Sequence, residues 1–386
     1  MPSLFDRVID RNNTHSLKWD AYPNGVLPLW VADMDFQAPE PVLRALRNRV
    51  DHGIFGYESQ FNELRDTVVN WTWQHYHWKI NPQDILFVPG VVTSLNLAAQ
   101  ALASPGAGVI IQPPVYPPFF SVAKNAQLEI NQAPLSHDEN LNYYIDFIEF
   151  EKSIGENTKL FILCNPHNPV GRVFKQDELT KIAELCIKHK LIILSDEIHC
   201  DLVYEGHHHI PFASLNEEIA QCTITFIAPS KTFNLAGLKC SIIISQNTEL
   251  RKQIEQKRCG LVGDPGTLSL IAALAAFQYG QPWLDELLQY LQGNRDWLCK
   301  YLQNNLPSIN MPPIEGTYLA WLDCHLLNLK PNPYDFFLQN AKVALNNGPT
   351  FGSGGEGFVR LNFGCPREIL EEALLRMTTA IEQVLE

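Results

Sequence analysis

Four side chains capable of chemistry each follow a short apolar run in this sequence. They are an amine at Lys231, a carboxylate at Asp196, an amide at Asn168 and an aromatic ring at Tyr116. Runs that are apolar throughout are typical of strands covered on both faces of a parallel sheet. Ligands of such sheets bind beyond the carboxyl ends of the strands, so these residues are predicted to share one site. The predicted strands are 85–88, 109–111, 160–164, 191–194, 223–227 and 241–244.

The four side chains suit a phosphorylated pyridine aldehyde, pyridoxal 5'-phosphate, that acts as an electron sink. The Asp196 carboxylate would keep the ring nitrogen protonated, and the Asn168 amide would donate to the phenolic oxygen. The Tyr116 ring would cover one face of the cofactor. Lys231 would supply the amine for a Schiff base, with a pKa lowered by desolvation and by neighbouring positive charge.

The phosphate of such a cofactor needs donors at the start of a helix. The segment Pro-Gly-Val-Val-Thr-Ser at 89–94 follows the first predicted strand and opens a helical pattern. The backbone N–H groups of Val92 and Thr93 are therefore predicted to bind the phosphate. The hydroxyl of Ser230 is a further candidate for the same group.

Helical patterns lie between the predicted strands. One is a compact Ala/Leu-rich helix at 95–102, and another begins at Asp177, a candidate N-cap, with an apolar stripe behind it. Pro39 stands where a further helix could begin, and a long helical pattern starts at Pro282.

This alternation predicts an α/β fold with a large, doubly wound, mostly parallel sheet. We expect the large cofactor-binding domain to span 51–283. Residues 1–50 and 284–386 are expected to form a smaller α+β domain, in which the N-terminal segment joins the C-terminal part.

Composition narrows the classes of protein and partner. Of the 386 residues, 46% are hydrophobic and 18% are charged, which favours a packed core over disorder. The formal net charge of −13 repels phosphate backbones and anionic lipids, so neither nucleic acid nor a membrane surface is an expected partner.

Cysteine usage and hydropathy predict a cytoplasmic protein. The nine cysteines are odd in number and form no C-x-x-C pair, which is typical of reduced thiols. We expect no membrane span, because no stretch of about 18 apolar residues occurs. We also expect no secretory signal, because charged residues interrupt the N-terminus.

A run of three histidines at 207–209 raises the question of a metal site. It has no helical ligand spacing and no cysteines at the distance a zinc finger requires. The run is predicted to be an exposed loop, and no metal is expected.

Three motifs in order make the sequence resemble a known family. They are Asn-Pro-His-Asn-Pro-Val-Gly at 165–171, Ser-Asp-Glu-Ile-His at 195–199 and Ser-Lys-Thr-Phe-Asn-Leu at 230–235. Their Asn, Asp and Lys stand 28 and then 35 residues apart, as in the fold-type I pyridoxal-phosphate enzymes of the class I/II aminotransferase lineage. The resemblance runs from about residue 30 to beyond residue 360.

Within that family the chain resembles the branch of cystathionine β-lyases and cysteine C–S lyases. The segment Trp-Val-Ala-Asp-Met-Asp-Phe at 30–36 carries part of this resemblance and implies that Ala32 and Asp33 bind substrate. Many aminotransferases have a tyrosine at the position of His199 and a phosphate-binding arginine at that of Lys239. Both departures are shared with the lyase branch, and they imply that His199 and Lys239 contact the cofactor.

The resemblance assigns two more residues. Arg360 matches the family's arginine for the substrate α-carboxylate, a role that suits a planar guanidinium. Tyr57 matches the tyrosine that reaches into the neighbouring subunit's site. A homodimer with shared active sites is therefore implied.

The expected reaction is β-elimination from a cysteine-type amino acid, with release of a thiol, pyruvate and ammonia. L-cystathionine and other S-conjugates all fit this expectation. An aminotransferase, which shares the early steps, is the alternative. A non-catalytic pyridoxal-phosphate-binding regulatory module is a third, although no basic helix-turn-helix segment precedes residue 50.

Overall fold

The computed structural model describes residues 3–57 and 61–385. Its strands fall into one large sheet and three small ones. Within the described residues the strands are, in chain order, β1 (Leu27–Pro28), β2 (Ile85–Val88), β3 (Gly108–Ile111), β4 (Glu129–Gln132), β5 (Ser136–His137), β6 (Tyr143–Tyr144), β7 (Thr158–Cys164), β8 (Ile192–Asp196), β9 (Thr223–Ile227), β10 (Ser241–Ile244), β11 (Leu319–Asp323), β12 (Val343–Ala344), β13 (Asn346–Asn347) and β14 (Phe358–Asn362).

The large sheet has seven strands in the order β2-β10-β9-β8-β7-β3-β4. Strand β10 runs antiparallel to both of its neighbours, and the other pairs are parallel. The predicted fold class, α/β with a mostly parallel sheet, is confirmed. All six predicted strands lie in this sheet, and β4 adds an exposed edge strand that the sequence did not indicate.

Both faces of this sheet are covered, as in a doubly wound fold. Alternate residues of one strand point to opposite sides, so Ile162 packs with one apolar cluster and Phe161 with another. The first cluster includes Leu95 and Val122, and the second includes Leu179. This two-sided burial explains why the central strands are apolar throughout.

The helices lie on both sides of the sheet and at its ends. Within the described residues they are α1 (Leu17–Asp20), α2 (Glu40–His52), α3 (Asn62–Tyr76), α4 (Val91–Leu102), α5 (Pro118–Asn125), α6 (Phe147–Lys152), α7 (Gln176–Lys188), α8 (Glu217–Cys222), α9 (Pro229–Thr232), α10 (Thr248–Arg258), α11 (Thr267–Tyr279), α12 (Gln281–Asn305), α13 (Pro333–Phe336) and α14 (Arg367–Leu385).

Several predicted boundaries were wrong by a few residues. Helix α4 begins at Val91, inside the segment 89–94 that was predicted to open it and four residues before the Ala/Leu-rich stretch 95–102, because Gly90 takes a φ of 97° and turns the chain directly into the helix. The N-cap of α7 is Lys175, so Asp177 lies inside the first turn, where its carboxylate still suits the helix dipole. Strand β8 extends to Asp196, so this carboxylate belongs to the strand itself.

The C-terminal part has its own sheet, in the order β11-β14-β13. Strand β1 pairs in parallel with β12, so hydrogen bonds join the N-terminal segment to the C-terminal part. Among the helices of residues 3–57 and 61–385, none is long and apolar enough to span a bilayer.

Candidate active site

A cavity of about 340 Å³ opens at the carboxyl ends of the parallel strands of the large sheet. Ten of the predicted site residues line it. Other residues, such as Cys164, Ile198, Ala236 and Cys240, also line it but were not predicted as site residues. These ten are Ala32, Val92, Thr93, Tyr116, Asn168, Asp196, His199, Ser230, Lys231 and Lys239. The strand ends therefore meet at one place, as the order of the motifs predicted.

Lys231 lies on the short helix α9, directly after β9. Its Nζ donates a hydrogen bond to the carbonyl oxygen of Ala32. Burial, and then the positive charge of Arg360, lower the pKa of Lys231 to about 8, whereas the carboxylates of Asp33 and Asp196 oppose this shift. A lysine with such a pKa is partly neutral near physiological pH and can act as a nucleophile or a base.

Asp196 is the last residue of β8 and is almost completely buried. Its Oδ1 accepts the N–H of Ile198 at 3.2 Å. Burial raises the pKa of this carboxyl to about 7, although that N–H and the charge of Lys231 act in the opposite direction. A buried carboxylate of this kind favours a protonated partner, and a pyridinium N–H is such a partner.

Arg360 and Asn168 form a buried pair beside the cavity. Arg360 Nη1 donates to Asn168 Oδ1 at 2.9 Å. Its Nη2 donates to the Trp30 carbonyl at 2.9 Å and to the side chain of Asn346. The Asn168 oxygen Oδ1 already accepts from Arg360, and the amide nitrogen Nδ2 is the atom of this side chain that can donate to a ligand. Burial lowers the pKa of Arg360 to about 10, so the guanidinium stays charged at neutral pH.

The guanidinium of Arg360 also lies over the face of an aromatic ring, that of Phe351. Its Cζ lies 5.0 Å from the centre of the Phe351 ring, a cation–π distance. Arg360 Nε is buried and makes no hydrogen bond among the described residues. The guanidinium is therefore fixed and charged, and its Nε–H can still donate a hydrogen bond, which suits a carboxylate ligand.

The far end of the cavity can bind a phosphate. Val92 and Thr93 lie in the first turn of α4, where the backbone N–H groups have no partner within the helix. Ser230 and Lys239 line the same cavity, and Lys239 takes a left-handed φ of 44°. A helix start, a hydroxyl and a cation thus meet where an anion would be stabilised.

His199 lines the cavity and is buried, with its ring edge-on to Tyr318 at 5.9 Å. Burial, with the nearby charges of Lys231 and Arg360, lowers the pKa of this histidine well below its usual value. Its Nδ1 makes no hydrogen bond within the described part of the chain. The imidazole is therefore neutral at physiological pH.

The N-terminal strap, residues 30–36, crosses the cavity beside Lys231. The Ala32 carbonyl accepts from Lys231 and also from the Tyr318 hydroxyl, at 2.9 Å. Asn362 Nδ2 donates to the Val31 carbonyl at 2.7 Å and to the Asp33 carbonyl at 2.8 Å. The sequence indicated Ala32 but gave no signal for Tyr318 or Asn362, because both act on backbone oxygens.

The second half of the strap is held by Asn234. Its Nδ2 donates to the carbonyls of Met34 and Phe36, each at 2.8 Å, and its Oδ1 accepts the Met34 N–H at 3.0 Å. The Asp33 side chain, a predicted substrate ligand, does not line the cavity. It pairs with Arg11 at 2.7 Å, and its second oxygen is buried without a partner among the described residues.

Tyr57 lies outside the cavity of its own chain. Its side chain is fully exposed, in a segment without regular structure that follows α2. This placement leaves it available to a neighbouring molecule.

The prediction that residues 207–209 are an exposed loop was wrong in part. His209 is buried, and its Nε2 lies 2.8 Å from Glu197 Oε2. The loop folds back because the buried Glu197 carboxylate also accepts from Ser195 and from the Phe212 N–H, and needs this third partner. Among the described residues, no three His, Cys, Asp or Glu side chains group as a metal site would require.

The polar groups of the cavity match those of pyridoxal phosphate. The buried Asp196 carboxylate could bind a protonated ring nitrogen, Asn168 Nδ2 could donate to a phenolic oxygen, and Lys231 presents an amine with a lowered pKa. The α4 start supplies the anion end. The residues present therefore fit this cofactor.

Known proteins resemble this chain over nearly its whole length. A family model described as aminotransferase class I and II matches residues 25–377. The curated cystathionine beta-lyase PatB of Bacillus subtilis (strain 168) is 42% identical, with 98% of this chain and 99% of that protein covered.

Two solved structures share the fold and hold the cofactor. Cystalysin from Treponema denticola, described as containing pyridoxal 5'-phosphate, is 37% identical with a TM-score of 0.96, and all of both chains is covered. The PLP-bound C-S lyase from Staphylococcus hominis is 33% identical with a TM-score of 0.92, covering 99% of this chain and 100% of that one. Pyridoxal 5'-phosphate is thus the cofactor of this chain. The chain belongs to the aminotransferase class I and II family of pyridoxal-phosphate enzymes, in its cystathionine β-lyase branch.

Proposed function

We propose that this enzyme cleaves the C–S bond of L-cystathionine or of related cysteine S-conjugates by β-elimination. The products are a thiol, pyruvate and ammonia. The observation that carries the proposal is one cavity lined by Asn168 and by Lys231, whose pKa is lowered, with Arg360 outside its lining but hydrogen-bonded to Asn168. The relatives named above, which are called cystathionine beta-lyase and C-S lyase, support the same reaction.

Arg360 would bind the α-carboxylate of the amino acid, with Asn168 holding the guanidinium at 2.9 Å. Because Phe351, Asn346 and the Trp30 carbonyl already fix this guanidinium, binding costs little further ordering. A carboxylate held in this way orients the Cα–H bond toward Lys231. Ala32 would complete the substrate side through its carbonyl, and Asp33 would act through its charge, which opposes the lowering of the Lys231 pKa.

Lys231 would take the Cα proton at Nζ as general base. When bound, pyridoxal phosphate supplies the electron sink that makes this proton acidic. The Cβ–S bond then breaks, and its electron pair leaves on the sulfur. The three-carbon remainder reacts with water to give pyruvate and ammonia, and cystathionine would release homocysteine as the thiol.

The remaining predicted residues would bind the cofactor. Asp196 would hold the protonated ring nitrogen, and Tyr116 would cover a ring face. The phosphate would be bound by donors on three segments of the cavity wall, namely those of Val92, Thr93, Ser230 and Lys239.

A neutral His199 at the position of the family's tyrosine favours the lyase over an aminotransferase. An aminotransferase must return a proton to the cofactor carbon, whereas a lyase must expel the group on Cβ. His199 and Lys239 both depart from the aminotransferase pattern. The complete catalytic set and the lyase relatives also make a non-catalytic regulatory module the weaker interpretation.

We further propose that two copies of the chain form a homodimer with shared active sites, in which Tyr57 reaches the partner's cavity. Full exposure of Tyr57, next to the exposed Ile54 and Phe55, supports this. Nine free cysteines support a reducing, cytoplasmic location. Pairing of β1 with β12 supports a small domain of 1–50 and 284–386 beside a large domain of 51–283.

The direct test is the release of products from L-cystathionine by protein purified with pyridoxal phosphate. Pyruvate and free thiol should appear in equal amounts and vanish in Lys231→Ala, because the general base and cofactor link are lost. If neither appears while an added keto acid becomes an amino acid, the enzyme is an aminotransferase and the lyase proposal is wrong.

A further inference from the structure

A carboxylate that no step above uses, that of Asp201, is hydrogen-bonded to the residue next to Lys231 in the chain. Asp201 Oδ1 accepts from Trp71 Nε1 at 3.0 Å and from the Tyr76 hydroxyl. Its Oδ2 accepts from Thr232 Oγ1 at 2.7 Å. Asp201 therefore receives three hydrogen bonds, of which the third comes from the residue next to Lys231 in the chain.

These contacts join three elements at one point. Trp71 and Tyr76 lie on α3, Asp201 lies in the turn after β8, and Thr232 lies on α9. The turn also carries His199, and its strand carries Asp196. The Asp201 carboxylate thus connects two segments whose side chains line the cavity.

Helix α9 needs such a contact because it is only four residues long. A single turn has no intrinsic stability, so its orientation depends on tertiary contacts. Thr232 is completely buried and donates its hydroxyl to Asp201. A rotation of α9 that broke this bond would also swing the Cα–Cβ bond of Lys231 away from the cavity.

We propose that Asp201 is a positioning residue for Lys231 and acts through the Thr232 hydroxyl. Trp71 and Tyr76 both donate to Oδ1, so either donor alone keeps Oδ2 directed at Thr232. The proposal rests on the role assigned to Lys231, but not on which reaction follows. The competing interpretation is that Asp201 only attaches α3 to the turn.

A matched pair of variants separates these two roles. Thr232→Val keeps the branched shape and removes the hydroxyl, whereas Thr232→Ser keeps the hydroxyl. Two measurements need no turnover. The first is the dissociation constant of pyridoxal phosphate, obtained by adding it to the cofactor-free protein, and the second is the visible circular dichroism band of the bound cofactor. We expect Thr232→Val to raise that constant about 2–10-fold, the worth of one hydrogen bond, and to reduce the band. Thr232→Ser should restore both.

Tyr76→Phe is the control for a merely structural role, because it removes a donor from the other oxygen of Asp201. It should lower the melting temperature of the cofactor-free protein and leave the dichroism band unchanged. Asp201→Ala combined with Thr232→Val should be no worse for cofactor binding than the stronger single change, because each change breaks the same contact between Asp201 and Thr232.

The proposal is overturned if Thr232→Val leaves both readouts at the parent values. It is also overturned if Tyr76→Phe shifts them as much as Thr232→Val does, or if the double variant is additive. Product release from L-cystathionine is measured in the same preparations. A parent protein that binds the cofactor normally but releases no thiol would contradict the proposed lyase reaction and leave the positioning result standing.

Discussion

The floor of the cavity and the N-terminal strap above it are built on opposite principles. The floor consists of strand ends, and each functional residue lies at the end of its own strand, as Asp196 does, or shortly after it, as Asn168 and Lys231 do. Much of the strap's backbone is hydrogen-bonded by side chains that lie 198 to 331 positions away in the chain, namely those of Asn234, Tyr318 and Asn362. The floor supplies the reacting groups, and the strap supplies the carbonyl that holds the Lys231 amine.

The two regions also differ in how they affect stability. The strap contains Asp35, whose buried carboxylate accepts from Lys18 at 2.7 Å, from Arg11 at 2.6 Å and from Trp19 Nε1 at 2.8 Å. The floor contains Asp196, which is buried with a raised pKa and a single N–H partner. A satisfied charge stabilises the fold, whereas an under-satisfied charge is costly until a ligand arrives.

Asp35→Asn is expected to have the largest effect on stability. Lys18 and Asp35 are 0% and 1% exposed, so the substitution leaves a buried ammonium without its ionic partner. Loss of one member of such a pair costs about 3–5 kcal/mol of the free energy of unfolding. Urea denaturation of the cofactor-free protein measures it.

The exposed pair Arg47–Glu40 provides the control for Asp35→Asn. It has the same 2.7 Å separation, but its side chains are 61% and 64% exposed. Glu40→Gln should therefore change the free energy of unfolding by less than about 1 kcal/mol. Equal losses in the two variants would mean that the strap is not anchored by its buried charge.

Asp196→Asn should show the opposite behaviour, with a large loss of activity and little loss of stability. Removal of one preorganised electrostatic partner typically costs about 10²–10³-fold in kcat. Thiol release from L-cystathionine at saturating pyridoxal phosphate measures this loss.

Stability as a function of pH provides the second half of the Asp196 test. The pKa of Asp196 is raised from 3.8 to about 7 in the folded, cofactor-free protein. Between these two pH values the folded protein therefore holds a proton on Asp196 that the unfolded chain has released. The resulting stabilisation is complete below about pH 4 and disappears as the pH rises to about 7. Asp196→Asn should lack this slope and unfold no more easily than the parent at pH 8. A clear destabilisation there would mean that Asp196 supports the fold as Asp35 does.

The same contrast explains what the sequence could predict. The strands 85–88, 223–227 and 241–244 have the predicted bounds, because they are buried, mostly apolar runs with a Pro or Ser within two residues of their end. The sequence missed β4, whose residues are mostly exposed at the sheet edge and therefore carry little apolar signal. It ended β8 two residues early because Ser195 and Asp196 are polar although they lie in a buried strand.

The strap could not be predicted in the same way. Every residue carries a backbone carbonyl, so an acceptor such as Ala32 O has no signature in the amino-acid type. The donors Tyr318 and Asn362 lie far away in the chain, and only the folded structure shows which oxygen they reach. Residues on strand ends are predictable from local order, whereas side chains that hold a distant backbone are not.

The smallest expected effect concerns the positive charge of Arg360, which acts on the pKa of Lys231 in the floor. Arg360 lowers the pKa of Lys231, second only to burial. In the cofactor-free protein, labelling of the Lys231 amine by an acylating reagent should rise as the pH increases through about 8, because only the neutral amine reacts. Arg360→Met removes the positive charge, so the pKa should move upward and labelling at pH 8 should become slower. Mass spectrometry of the peptide that contains Lys231 measures the rate, and the exposed Lys252 is an internal reference that should not change. If Arg360→Met leaves the Lys231 profile in place, burial alone sets the reactivity of this amine, and the carboxylate site and the lysine are electrostatically independent.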